Sequence, residues 1–133
     1  MATLVDSNVI LDLLTADPVW ADRSERALRA ASLRGPLVIN DVVYAEVSPG
    51  FRTVEALDGE IARLRLDHRP LPRAALFLAA RVFAAYRRRG GTRTGVLPDF
   101  FVGAHAAVAG LPLLTRDGAR YRTDFRTVEV LSP

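Results

Sequence analysis

A chain of 133 residues, half of them hydrophobic and a quarter charged, suffices for one domain with a sizeable core. It has no cysteine, which excludes disulfides, thiolate metal sites and a Cys nucleophile, and no lysine, all 18 basic residues being Arg. Without Lys there is no Walker A loop and no Schiff-base chemistry. The missing Lys also argues against receiver-type and haloacid-dehalogenase-type phosphotransfer, which use one to hold the phosphoryl group. The net charge of +3 and pI near 10.1 suit a polyanionic partner, and Arg grips phosphate bidentately. No segment approaches the roughly 18 apolar residues of a membrane span. The N-terminus has no basic stretch before its apolar run, so it reads as strand and helix, not signal peptide. A cytoplasmic protein is expected.

In chain order, Thr3 to Asp6 reads as a buried strand, followed by a helix from Val9 to about Thr15 that Ser7 or Asn8 can cap. A second helix, about Val19 to Leu33, carries Trp20, Ala27, Leu28 and Ala31 on one face. Leu37 to Ile39 is a short strand, and Asn40 or Asp41 caps a helix to Val47. After Ser48-Pro49-Gly50, a helix starting at Thr53 shows Val54, Leu57, Ile61 and Leu64 at helical spacing. A long helix, about Arg73 to Arg89, is expected to bury Leu76, Phe77, Ala80, Phe83 and Ala84. Gly90 to Gly95 reads as a flexible loop. The helix Asp99 to Ala109 is closed by Gly110, Leu111 to Thr115 is a strand, Tyr121 lies in a short helix or turn, and Thr127 to Leu131 is the last strand. This alternation predicts one α/β domain over residues 1–133, an α/β/α sandwich with a mainly parallel central sheet.

Four acidic residues stand at or beside the ends of these elements: Asp6, Glu46, Asp99 and Asp117. Ligands of open α/β sheets bind outside the carboxyl ends of the strands, so all four can face one edge. Two unit charges about 4 Å apart repel by about 4 kcal/mol at an effective dielectric near 20. A divalent cation is the simplest neutraliser of such a set. Taken singly, each has a plainer explanation: a cap or turn carboxylate for Asp6 and Asp117, an ion-paired Glu46, a first-turn Asp99 meeting the helix dipole. Ser7, Asn8 and Thr115 offer oxygens that can orient a carboxylate or a water. Asp12 reads as a solvated helix residue, Asp41 as a cap and His105 as structural. Gly103 and its Ala neighbours on the Asp99 helix leave room for a neighbouring backbone. Arg87, Arg88, Arg89 and Arg93 flank the glycine-rich loop, and with Arg116 and Arg120 they form a candidate landing surface for RNA phosphates. A solvated basic helix end is the plainer account.

The segments DSNVILDLL, YAEV, LPDFFVGAHA and LLTRDGARYRTDF together resemble the PIN-domain family, and within it the VapC-type ribonuclease toxins. The resemblance spans nearly the whole chain in the same order. It implies the α/β/α sandwich, a Mg²⁺- or Mn²⁺-dependent endoribonuclease, and a homodimer inhibited by a small cognate antitoxin protein. The family's acidic positions fall on Asp6, Glu46, Asp99 and Asp117 as catalytic and metal-holding residues. Its supporting positions fall on Ser7 or Asn8 and on Thr115. The competing expectations are a PIN-type nuclease of RNA processing and a catalytically silent module that binds a partner.

Overall fold

The structure is a computed structural model that describes residues 1–92 and 97–133. Five short strands form one parallel sheet: β1 (Thr3–Val5), β2 (Leu37–Ile39), β3 (Leu66–His68), β4 (Leu113–Leu114) and β5 (Val130–Leu131). Their spatial order is β3-β2-β1-β4-β5. The central three are continuous apolar runs because both their faces are covered: Leu4, Val5, Val38, Ile39, Leu113 and Leu114 are buried. The chain steps outward from β1 to β2 and β3, then returns to lay β4 on the other side of β1. The sheet therefore reverses direction between β1 and β4, and the crevice at their carboxyl ends is where such sheets bind ligands.

The crossovers are α1 (Ser7–Leu14), α2 (Ala21–Ser32), α3 (Asp41–Val47), a 3₁₀ turn (Ser48–Gly50), α4 (Val54–Arg63), α5 (Arg73–Arg88), α6 (Pro98–Ala109) and α7 (Gly118–Asp124). Helix α6 is buried from Val102 to Ala106 and closes on Gly110, whose φ of 65° suits a residue without a side chain. Gly103 meets the Phe125 ring, not a neighbouring backbone, and a Cβ there would come within 2.4 Å of it.

Several expectations change. Strand β3 was not anticipated, because its sequence Leu-Asp-His buries only Leu66. Backbone pairing with β2 makes it a strand, and its charged residues suit an exposed edge. On α5 the buried residues are Ala75 and Ala79, whereas Leu76 and Phe77 are exposed by 44% and 65%. The helix is apolar on more than one side, and packing of Phe83 and Tyr86 against Phe100 of α6 selects the face. Asn40, not Asp41, caps α3, accepting a hydrogen bond from the Val43 N–H at 3.0 Å. Asp41 instead meets His68 Nε2 at 2.7 Å. Asp12 is buried, where its carboxylate accepts from Ser24 Oγ at 2.6 Å and lies 3.4 Å from Arg116. Among the described residues no helix is long and apolar enough to cross a membrane.

Candidate active site

Asp6 follows β1 directly and is itself the residue that caps α1, the place expected of Ser7 or Asn8. Its Oδ1 accepts from the Ser7 N–H at 2.8 Å. Its Oδ2 accepts from Thr115 Oγ1 at 2.8 Å, at the end of β4, and from the Tyr121 hydroxyl at 3.0 Å, on α7. The same Tyr121 hydroxyl lies 3.2 Å from Oδ1 of Asp99, in the first turn of α6. Ser7 Oγ donates to Glu46 Oε1 of α3 at 3.0 Å. Three carboxylates from three elements are thus tied into one hydrogen-bonded cluster at the β1/β4 crevice.

The cluster is under electrostatic strain. Burial pushes the Asp6 carboxyl up, against its three hydrogen-bond donors, and Asp99 adds repulsion. Burial also raises Glu46, and both Asp6 and Asp99 push it further. Tyr121, buried between two carboxylates, is driven far above the ordinary phenol range and stays a donor. Arg120 of α7 brings positive charge to the cluster: it pairs with Asp99 Oδ2, and its side chain is more than half exposed. The donor set is all oxygen, the chemistry of a hard divalent cation, and the mutual repulsion is what such an ion would relieve. Among the described residues no three acidic or His side chains already stand around a common point. Tyr121 and Arg120 hold the carboxylate oxygens, so an entering ion must take Asp99 from Arg120.

A cavity of about 280 Å³ lies beside Asp99, between Tyr86, Phe100, Tyr121 and Phe125. A larger groove of about 710 Å³ opens at the opposite, amino-terminal ends of β2 and β3. Its one carboxylate, Glu25, pairs with Arg29, so size does not mark the site here.

The profile of the PIN domain, a family of nucleases, matches residues 3–126. The chain belongs to the PIN domain family. Solved structures share its fold. One chain of VapBC2 from Rickettsia felis, in a complex bound to a DNA fragment from their promoter, superposes with a TM-score of 0.76 at 15% identity, covering 99% of this chain and 98% of that one. A chain of VapBC-1 from nontypeable Haemophilus influenzae gives 0.73 at 16%, with coverage of 99% and 98%. A chain of a toxin-antitoxin complex from Klebsiella pneumoniae gives 0.68 at 20%, with coverage of 97% and 95%. No curated protein matches the chain in sequence.

In this PIN domain the fourth acidic residue stands apart. Asp117 is exposed, its N–H donates to Thr115 Oγ1 at 3.0 Å, and its charge acts on Arg120. Asn8 braces the crevice: its amide donates to Thr115 Oγ1 at 3.3 Å and accepts from the Arg116 N–H at 3.2 Å. His105 is buried and structural in its contacts, with Nδ1 facing the Asn40 amide nitrogen at 3.1 Å. Of the basic residues, Arg89 is engaged with Asp124 at 2.6 Å, Arg88 is exposed, and Arg93 lies outside the described residues. No local pattern marks the contacts of Tyr121 or the pairing of Arg120 with Asp99. Both sit in a seven-residue helix whose periodicity says nothing of what it faces, although the Arg-Tyr pair just after Thr115-Arg116-Asp117 was a usable signal.

Proposed function

We propose that this PIN domain is a metal-dependent endoribonuclease and the toxin of a toxin–antitoxin pair. The gathering of Asp6, Glu46 and Asp99 at the β1/β4 crevice carries this reading. Asp6, Asp99 and Glu46 would hold Mg²⁺ or Mn²⁺, with Asp117 contributing from the rim. When bound, the ion supplies Lewis acidity for activating water and neutralising charge on the phosphoryl group. Thr115 and Ser7 hold Asp6 and Glu46 in place, so little reorganisation remains at reaction. Arg120, once released from Asp99, stands at the crevice as a fork for phosphate. Arg87, Arg88, Arg89, Arg93 and Arg116 are the basic residues that would draw in RNA, with Arg89 and Arg116 coming from pairings with Asp124 and Asp12.

The toxin role rests on likeness to the VapBC structures and the Klebsiella toxin-antitoxin complex. It brings a small antitoxin protein as partner and the cytoplasm as compartment. A homodimer would bury the apolar residues left exposed on α4 and α5, Val54, Leu76 and Phe77.

The test is expression of wild type and Asp6→Asn with and without the neighbouring small open reading frame, alongside RNA cleavage by the purified proteins in Mg²⁺, Mn²⁺ or chelator. Wild type should arrest growth, the variant should not, and the neighbour should rescue. Equal toxicity of both proteins, or cleavage that persists in chelator, overturns the assignment.

A further inference from the structure

A second feature adjoins the crevice on the α2 side. The guanidinium carbons of Arg23 and Arg116 lie 4.3 Å and 4.9 Å from the centroid of the partly exposed Trp20 ring. The arrangement is built, not incidental. Asp17 Oδ1 accepts from the N–H groups of Val19 and Trp20, both at 2.9 Å, and so sets the turn that carries the indole. The buried Asp12, itself held by Ser24, reaches Arg116 Nε at 3.4 Å. Arg116 is next in sequence to Thr115, whose hydroxyl touches Asp6, and its N–H is bonded to Asn8. One polar chain thus runs from Asp6 through Thr115, Asn8 and Arg116 to Trp20.

A guanidinium laid on an indole face keeps its N–H donors in its own plane, where they can meet phosphate oxygens. An indole face freed of its guanidinium is a planar, sequence-tolerant surface of the kind on which unstacked bases settle. Arg23 and Arg116 remain solvent-facing, and Arg23 spends Nη2 only on a marginal bond to the Pro133 carbonyl at 3.3 Å.

We propose that Trp20, with Arg23 and Arg116, forms a subsite in which Arg23, the more weakly held of the two, swings off the indole onto a substrate phosphate and one unpaired nucleobase takes its place on the ring, beside the carboxylate crevice. The subsite rests on the RNA-cleaving reading. It makes the enzyme select single-stranded segments, because a paired base cannot lie on the indole.

Trp20 is the chain's single tryptophan, so intrinsic fluorescence reports this position alone. Wild-type protein in chelator is titrated with a 12-nucleotide single-stranded RNA, the same length of abasic oligonucleotide, and inorganic polyphosphate, with binding followed independently by anisotropy. Base-bearing RNA should quench Trp20 saturably, and the two base-free polyanions should bind without quenching. Trp20→Leu should weaken RNA binding about tenfold, the scale of one lost base stack, and Trp20→Phe should recover much of it. Far-UV circular dichroism confirms that both variants are folded. Equal quenching by polyphosphate, or unchanged RNA affinity in Trp20→Leu, overturns the subsite. Wild type that cleaves RNA while Trp20→Leu keeps its KM removes the subsite and leaves the nuclease standing. Saturable base-dependent quenching by a protein that cleaves no RNA does the reverse.

Discussion

Asp6 and Asn40 occupy equivalent places. Each ends a parallel strand, β1 or β2, each is buried, and each caps the helix that follows through its side-chain oxygen. Asn40 is neutral, and its remaining amide donor faces His105 on α6, so the buried polar groups there satisfy one another. Asp6 is acidic, and around it the fold adds Glu46 and Asp99 instead of a neutral partner. The same architectural position is thus used once for stability and once for accumulated negative charge. The accumulated acidity is a folding liability of the kind that a bound cation would relieve.

Substitutions on the two sides should therefore move different observables. The largest effect is expected for Asp99→Asn: RNA cleavage should fall by about a hundredfold or more, the scale of losing one group that stabilises transition-state charge, while circular dichroism shows a folded protein. On the neutral side, Asn40→Ala removes the α3 cap and strands His105. Urea denaturation should register a loss of about 2 kcal/mol.

Glu46→Gln should do the opposite at neutral pH. Burial and repulsion raise the folded pKa of Glu46, so the native state binds the proton more readily than the unfolded chain. Its contribution to stability is present at low pH and is lost as pH rises from the ordinary value of 4.5 through the raised one. The variant should melt a few degrees higher at pH 7, lose that advantage near pH 4, and show a smaller Mg²⁺-induced rise in melting temperature. The smallest effect belongs to His105. Burial, aided by Arg69, lowers its pKa and keeps it neutral. The unfolded chain takes up its proton first as pH falls, so this contribution holds above 6.5 and is lost below it. Melting curves between pH 7 and 5 should show a decline that His105→Gln flattens.

The acidic positions of the site were legible because each stands where an apolar pattern breaks off, which periodicity marks well. Ser7 and Thr115 were legible as supporting oxygens, but not which carboxylate each meets, since Thr115 reaches Asp6 across 109 positions of sequence. Tyr121 reaches Asp6 across 115 and Arg120 reaches Asp99 across 21, and no local pattern marks either pairing. Asp12 read as solvated because an acidic residue in a helix is usually exposed, and only the docking of α2 and Arg116 buries it with partners. The face of α5 was misread for a related reason: an alanine-rich helix presents several apolar stripes, and its neighbour chooses among them.

Local chemistry in the sequence determined the alternation of strand and helix, the closure of α6 at Gly110, the absence of Lys and Cys chemistry, and the positions of the four acids. Tertiary structure alone decided that Leu66–His68 is a strand, that three of the acids share one hydrogen-bonded cluster while Asp117 stays at its rim, and that Trp20 lies between two arginines beside it. Capping, periodicity and turn formation act over a few residues and are written locally. Charge repulsion, shared hydrogen-bond donors and ring stacking act through space, between segments that only the folded sheet brings together.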